Sequence, residues 1–518
     1  MKLNRYGIPI CLSLMVALIS CNSVARTKSP LKEKLPNIVV IYLDDLGYGD
    51  VGFNGATELK TPNIDKLAKG GLQFINGYAS SATCTPSRYA LMTGIYPWRN
   101  KNAKILPGTA PLIIGTDQMT LPKMLKEKGY QTGIVGKWHL GLGSGQVKWN
   151  EKITPGPNEV GFNYSYILAA TQDRVPTVYI NDGNVVGLDI RDPIEVNYDK
   201  NFDNQPTGVD SPELLKMKWH HGHNNSIVNG IPRIGFMRGG KAALWDDEKM
   251  ADTFLEKAQQ FVVDQKNKPF FLYYAMQQPH VPRIPSPRFK GKSGLGPRGD
   301  VIMEADWCIG EFIKTLDNEG LLENTLIVFS SDNGPVLQDG YYDGAVEKTG
   351  NHTPAGPFRG GKYSLFEAGT HVPFFTYWKG KIKPGVSKSL VCQMDLLSSL
   401  AKLVGSKTRA ADSQELMDVF LGNKKQGRKS LVVEAASRTA LRKGDWVMIP
   451  PYIGPFILEE VNIELGNSRK FQLYNIKKDA GQKNNLAVSN PEKLKEMMSR
   501  FEAIRGSGYK NVEKIELK

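Results

Sequence analysis

The chain has 518 residues, 41% of them hydrophobic and 23% charged, so it can bury a large core and should hold one big domain with a smaller one. Lys and Arg number 66 against 52 Asp and Glu, a formal charge of +14 that is scattered rather than blocked and favours encounter with a polyanion. No Arg-rich helix or zinc-finger spacing accompanies it, so no nucleic acid partner is expected, and no apolar stretch beyond the N-terminus is long enough to span a bilayer.

The first element in chain order reads as an export signal, with Lys2 and Arg5 ahead of a short apolar run from Ile8 to Ile19. Leu18, Ile19, Ser20 and Cys21 then resemble a bacterial lipobox, whose cysteine is lipidated after cleavage. Residues 1–21 are therefore expected to be a lipoprotein signal and residues 22–35 a polar tether, the alternative being an ordinary signal peptide with Cys21 incidental. On this reading the protein is exported. It becomes a periplasmic or outer-membrane-associated lipoprotein of a Gram-negative bacterium, held at the membrane by its N-terminal lipid. Cys84, Cys308 and Cys392 would then remain, too few for a disulfide scaffold.

Short apolar runs at 37–43, 131–136, 269–275, 325–330 and 371–377 read as buried strands. Helical patterns at 62–69, 121–128, 250–265, 304–319 and 394–404 lie between them, the first with Thr61 as cap and Pro62 in the first turn. The alternation predicts an α/β fold over residues 36–405, a large mixed, mostly parallel sheet sandwiched by helices. Residues 141–248 are rich in Gly, Asn, Pro and Asp and read as long loops over a site. Residues 406–518 change character. Strands at 430–434, 440–448 and 470–474 and a helix at 491–504 predict a smaller antiparallel sheet subdomain.

Polar residues cluster just after the predicted strands: Asp44 and Asp45, Lys137 and His139, Gln277 to His280, and Asp332 with Asn333. Sites in open α/β sheets form outside the carboxyl ends of strands, so these distant positions should meet. Carboxylates from two strand ends offer hard oxygen ligands suited to calcium or magnesium, although Asp-Asp after a strand is also common as a turn or cap. His220, His221 and His223 have no fourth ligand at zinc spacing and read as loop residues or sugar contacts. Asp173 and Arg174 lie in the same long loops, either gripping sugar hydroxyls or as surface charges.

The motif that carries most is Cys84-Thr-Pro-Ser-Arg88, continuing Tyr-Ala-Leu-Met-Thr-Gly94. It resembles the signature of the type I, formylglycine-dependent sulfatases of the alkaline phosphatase superfamily. Gly133-Ile-Val-Gly-Lys-Trp-His-Leu-Gly141, Gln278-Pro-His-Val-Pro282 and the run from Pro357 to Thr370 resemble further motifs of that family, and the resemblance extends into the C-terminal region. It implies that Cys84 is oxidised to formylglycine (3-oxoalanine) by a sulfatase-maturating enzyme. One hydroxyl of the aldehyde hydrate attacks sulfur, and the other lets the carbonyl reform and expel sulfate. Carried over residue by residue, Arg88 holds the hydrate and Lys137 bridges to sulfate. His139 takes the hydroxyl proton, and His280 and Lys362 are the two candidate general acids. One Ca2+ is implied on Asp44, Asp45, Asp332, Asn333 and the residue 84 oxygen. His371 and Ala368 depart from the pattern, and Thr171 is the nearest match to a family serine that touches sulfate.

The resemblance implies a sulfuric ester hydrolase acting on a sulfated oligosaccharide or polysaccharide, with galactose or N-acetylgalactosamine sulfates suggested by the texture around 156–162 and 171–176. A formylglycine-dependent phosphonate monoester hydrolase or phosphodiesterase is the nearest rival, and a non-catalytic glycan-binding relative the next.

Overall fold

A computed structural model describes Gly7 and residues 34–510, so the rest of the signal, Cys21 included, and residues 22–33 of the tether lie outside the described residues. No helix among those described is long and apolar enough to cross a membrane.

The centre of the fold is the first strand, β1 (Asn37–Leu43), whose seven residues are all buried. With both faces covered, its side chains can be apolar throughout rather than alternating. In chain order the other strands of its sheet are β2 (Leu72–Tyr78), β3 (Gln131–Lys137), β4 (Tyr164–Leu168), β5 (Ile180–Asn181), β6 (Asn184–Val185), β7 (Phe270–Ala275), β8 (Thr325–Ser331), β9 (Phe374–Tyr377) and β10 (Gly385–Cys392). They form a ten-stranded sheet in the order β10-β2-β9-β8-β1-β7-β3-β4-β5-β6. From β8 to β4 every pairing is parallel. β9 runs antiparallel to both β8 and β2, and β10 is parallel to β2.

Alternation along β1 sorts the two faces. Val39, Ile41 and Leu43 pack into one cluster with residues of helices α1 (Pro62–Gly70), α4 (Met250–Asp264) and α5 (Gly296–Asn318). Tyr42 points to the other face, where the Arg88 guanidinium of α2 (Cys84–Thr93) lies 5.4 Å from its ring centroid. Helix α3 (Leu121–Glu127) packs on α2, as does α6 (Leu396–Leu403).

Strands β11 (Leu431–Ala435), β12 (Arg438–Lys443), β13 (Trp446–Ile449) and β14 (Gln472–Asn475) form the small antiparallel sheet, closed by helix α7 (Pro491–Arg505). Met497 and Phe501 of that helix share a core with Leu441, Val447 and Leu473. The sheet also pairs back onto the chain ahead of Cys84. The Ala82 N–H donates to the Glu434 carbonyl at 2.7 Å, and the Glu434 N–H donates to the Ser80 carbonyl at 3.0 Å.

Several expectations need correction. The run 371–377 does not form a strand from its start, because the His371 N–H donates to the Glu367 carbonyl and Pro373 has no N–H to give, so β9 begins at Phe374. Helix α5 begins at Gly296 rather than 304, since Pro297 occupies a first-turn position where the missing N–H costs nothing. The run 440–448 is two strands joined by a Gly444 turn at φ 56°. Five strands of the large sheet were not expected from the sequence: the two-residue β5 and β6, and β2, β4 and β10. The sequences of the last three mix Gly, Asn, Ser and Lys with the apolar residues, which weakens the period.

Candidate active site

The expected convergence at the strand ends is present. Asp44 and Asp45 leave β1, Lys137 ends β3, and Asp332 and Asn333 leave β8, all at most 1% exposed. The Asp44 N–H donates to the Gln278 carbonyl at 3.0 Å and the Asp332 N–H to the Leu43 carbonyl at 3.1 Å, tying three strand exits together. Asp45 and His139 sit at φ 63° and 54°, a left-handed backbone that non-glycine residues keep only where surrounding structure enforces it. His139 therefore reaches the cavity by a backbone turn. Gly334 follows Asn333 because a Cβ there would lie 1.6 Å from the Ala368 carbonyl oxygen.

Cys84 starts α2 and is 3% exposed, with Sγ 3.5 Å from Asp44 Oδ1. One turn on, Arg88 donates from Nε and Nη2 to Asp332 Oδ2 at 2.9 and 2.8 Å, and from Nη1 to the Lys137 carbonyl and the Tyr273 hydroxyl. Lys137 Nζ is 2.6 Å from Asp44 Oδ2. Burial pushes the Cys84 thiol well up, with Lys137 only partly opposing it. Burial also pushes Asp44 well up, and the neighbouring Asp332 carboxylate adds to this. For Asp332 itself, burial is outweighed by Arg88 and Lys137, and its pKa falls to about 2.

One ligand atom each from Asp44, Asp45, Cys84 and Asp332 lies within 4.8 Å of the others. Asn333 donates Nδ2 to Asp45 Oδ1 at 2.7 Å, while its own Oδ1 is buried with no partner. Three carboxylates and an orphaned amide oxygen, dry and crowded, are a donor set that fits a hard divalent cation.

A cavity opens over Cys84, walled by His139, His280, Lys362, Asp339 and the Asp173–Arg174–His223 group. His139 Nε2 contacts the Leu106 carbonyl at 3.0 Å, leaving Nδ1 buried and unpartnered. Lys362 Nζ donates to Asp45 Oδ2 and Asp339 Oδ2, both at 2.9 Å. Burial alone would lower its pKa, but Asp339 and Asp45 raise it well above the ordinary lysine value. His280 Nδ1 contacts the Val281 carbonyl at 2.8 Å and Nε2 lies 3.8 Å from Asp45 Oδ2. Burial first, then Lys362 and Lys137, hold its imidazole well below the ordinary histidine value.

The long-loop residues divide. Asp173 is 2% exposed, accepting from His223 Nε2 at 2.7 Å and from Arg174 Nη1 at 3.1 Å. Arg174 Nε is buried without a partner. These three are cavity walls and not surface charges. His221 also lines the cavity, whereas His220 lies outside it with Nδ1 2.8 Å from His221 Nδ1. The three histidines do not converge as metal ligands among the described residues. Thr171 is spent on Arg174, whose Nη1 donates to its hydroxyl at 2.7 Å. His371 is buried away from the cavity, between Glu367 Oε2 and the Ile75 carbonyl. Sequence reasoning missed Asp339, Tyr273 and Tyr363. Asp339 carried the one readable signal, an acidic residue in the loop that follows Asp332.

Residues 36–406 match the family model described as Sulfatase. Over 493 residues, 94% of this chain and 96% of the relative, the sequence is 49% identical to an N-acetylgalactosamine-6-O-sulfatase of Bacteroides thetaiotaomicron. It is 32% identical to human arylsulfatase A over 430 residues, 81% of this chain and 73% of that protein. A solved structure described under the metabolism of multiple glycosaminoglycans by Bacteroides thetaiotaomicron superposes with a TM-score of 0.90 at 50% identity, covering 91% of this chain and 99% of that one. With Cys84, the carboxylate cluster and the cationic walls all falling inside the matched span, the chain belongs to the sulfatase family and is a sulfuric ester hydrolase.

Proposed function

We propose that the protein removes the 6-O-sulfate of N-acetylgalactosamine units in a sulfated saccharide, with Cys84 converted to formylglycine by a maturating enzyme and one Ca2+ bound. The observation that carries this reading is the crowding of Asp44, Asp45, Cys84 and Asp332 at the floor of a cavity walled by Arg174, His139, His280 and Lys362. Likeness to the Bacteroides thetaiotaomicron N-acetylgalactosamine-6-O-sulfatase over 94% of the chain supports the choice of sugar.

Asp44, Asp45, Asp332 and Asn333 would hold the cation together with residue 84, and when bound it supplies positive charge to the sulfate oxygens. Formylglycine supplies a hydrate with two hydroxyls on one carbon, one to attack and one to drive release. Arg88 and Lys137 fix that residue's surroundings from a dry ion network, so the site is ordered before substrate arrives. His139 Nδ1, with no competing partner, is placed to take the hydroxyl proton on sulfate release.

Two groups face the leaving oxygen, and their partners separate them. A backbone carbonyl only accepts, so Nδ1 of His280 carries the hydrogen and a neutral ring presents a lone pair at Nε2. Lys362 is held cationic by Asp339 and Asp45. Lys362 Nζ is therefore the proton donor, and His280 Nε2 can accept from the departing hydroxyl once that oxygen carries the proton. The Asp173–Arg174–His223 group grips sugar hydroxyls. Export and lipidation at Cys21 belong to the same proposal and rest on the N-terminal sequence pattern.

The test is inorganic sulfate release from 6-sulfated N-acetylgalactosamine, its 4-sulfated isomer and an aryl phosphonate monoester. Release from the 6-sulfate in preference to the other two supports the reading. Preference for the phosphonate ester points to the rival hydrolase, and turnover of none of the three by fully converted protein points to a glycan-binding relative.

A further inference from the structure

Shortly after Asp45 the chain places a second acidic residue, Asp50, in the core, where it does not line the cavity. Its Oδ1 accepts from Arg298 Nη1 at 2.7 Å and from His352 Nε2 at 2.8 Å. Its Oδ2 accepts from Arg298 Nη2 at 2.6 Å and from the Gly47 N–H at 2.7 Å. The side chains of Asp50, Arg298 and His352 are at most 4% exposed. A carboxylate only accepts, so His352 carries a hydrogen on Nε2. Burial would raise the Asp50 carboxyl, but Arg298 and then His352 hold it below its ordinary value.

The three residues come from different parts of the chain. Asp50 follows β1, Arg298 lies in the first turn of α5, and His352 belongs to the segment between Asp339 and Lys362. Both peptide groups that follow Asp45 are tied down. The Leu46 N–H donates to Ser331 Oγ at 2.9 Å, and the Gly47 N–H is the one that Asp50 accepts. The segment around His352 presses on the same turn. The Gly49 N–H donates to the Pro354 carbonyl at 2.8 Å, and a Cβ on Gly47 would lie 2.2 Å from that carbonyl oxygen. Asp45 itself accepts from Lys362 Nζ. The Asp45 turn and the Lys362 segment are therefore joined twice, once inside the site through Lys362 and once behind it through Asp50 and His352. The two-donor Arg298 fork already pairs the Asp50 charge, so neutralising that charge does not require His352.

We propose that His352 is a positioning residue for the hydrolysis. Acting through Asp50, it fixes the Asp45 turn against the segment that carries Lys362, and so sets both the affinity for Ca2+ and the delivery of the leaving-group proton. It touches neither the cation nor the saccharide. Groups that orient metal ligands from behind govern metal affinity and activity nearly as strongly as the ligands do. The inference rests on the calcium and proton-donor readings above and extends them to a residue outside the cavity.

The test uses the converted protein with His352→Ala and His352→Gln. Calcium Kd is measured by calorimetry on metal-stripped protein well below its melting temperature. The kcat is measured in saturating calcium on 6-sulfated N-acetylgalactosamine and on p-nitrophenyl sulfate. His352→Ala should weaken calcium binding roughly tenfold and lower kcat on the sugar sulfate more than on the aryl sulfate. His352→Gln, whose amide can donate to the same Asp50 oxygen, should recover most of both. His352→Leu, which keeps apolar bulk without a donor, replaces the alanine variant where that one does not fold. A variant that melts lower but keeps the parent's calcium Kd and kcat ratio shows a purely structural tie and overturns the proposal. A glutamine variant as impaired as alanine assigns the effect to ring packing and overturns it too. Absence of any calcium binding by the parent protein strikes the proposed function instead.

Discussion

Arg88 sends two of its donors, Nε and Nη2, to a single oxygen of Asp332, at 2.9 and 2.8 Å, with both side chains fully buried. Two buried charges hold each other in place here, and removing one leaves the other uncompensated. Arg88→Ala should destabilise the protein by about 3–5 kcal/mol, read as a lower denaturant midpoint. Arg88→Lys keeps the charge but not the paired donors, and should fall between the two. An Arg88→Ala variant with the parent's midpoint would show that the pair contributes no net stability.

The proposed conversion of Cys84 would be visible by mass. The tryptic peptide carrying it should be lighter by about 18 Da when the protein is made with a maturating enzyme, sulfur having been exchanged for oxygen with loss of two hydrogens. Cys84→Ala should abolish sulfate release. A peptide that keeps its thiol in a host shown to convert another sulfatase would sink the nucleophile assignment.

Calcium should stabilise the folded chain by mass action. At a free concentration of one hundred times Kd the gain is about 2.7 kcal/mol, seen as a higher melting temperature than in chelator. Asp45→Asn and Asp332→Asn should lose that response; in chelator Asp332→Asn should also melt lower, because the buried Arg88 loses its partner, whereas Lys362 keeps Asp339 in Asp45→Asn. A full calcium response in both variants would place the ion elsewhere.

Loss of the proton donor should depend on how badly the leaving group needs a proton. Lys362→Ala should slow release from a sugar sulfate far more than from p-nitrophenyl sulfate, whose phenolate leaves unaided. His280→Ala should depress both to a similar degree. The reverse pattern would make His280 the acid.

Glu434 sets a pH dependence of stability unrelated to the reaction. It is 3% exposed, accepts the Ser437 N–H at Oε1, and has no partner at Oε2. Burial, only partly offset by Ser437 and Arg505, raises its carboxyl from 4.5 to about 7. A raised carboxyl pKa means that the folded chain binds this proton more tightly than the unfolded chain does. Its contribution is therefore greatest below the unfolded value and is lost as pH rises through the folded one. Glu434→Gln removes that slope. Relative to the parent, the variant should gain up to about 3 kcal/mol in unfolding free energy between those two pH values. Parallel pH profiles for the two proteins would refute this.

The carboxylate cluster was legible in the sequence because Asp44, Asp45, Asp332 and Asn333 each lie one or two positions past an apolar strand, and strand ends meet by topology. Cys84 and Arg88 were legible for a different reason, the resemblance of Cys84-Thr-Pro-Ser-Arg88 to the family signature. The walls were less so. Asp173, Arg174 and His223 come from loops whose pairing depends on contacts fifty residues apart, which no local pattern encodes. Tyr273 is hidden inside an apolar strand, where nothing in Phe-Phe-Leu-Tyr-Tyr distinguishes a core ring from the hydroxyl that meets Arg88. The edges of the sheet were lost for the same reason as the walls. Strands β2 and β10 are held by pairing with each other and with β9, and their own periodicity is weak.

The hydrogen bonds that Glu434 gives to Ser80 and accepts from Ala82 set an order of events. Strand β11 leaves the ribosome long after Cys84, and it closes over the segment that leads into that cysteine. Once it has docked, the thiol is 3% exposed and out of reach of any second protein. On the proposed reading, the modifying enzyme would meet residue 84 on a chain whose C-terminal sheet has not yet been added. Slowing the completion of that sheet should lengthen the window for conversion, and a prematurely folded chain would be locked with its thiol intact.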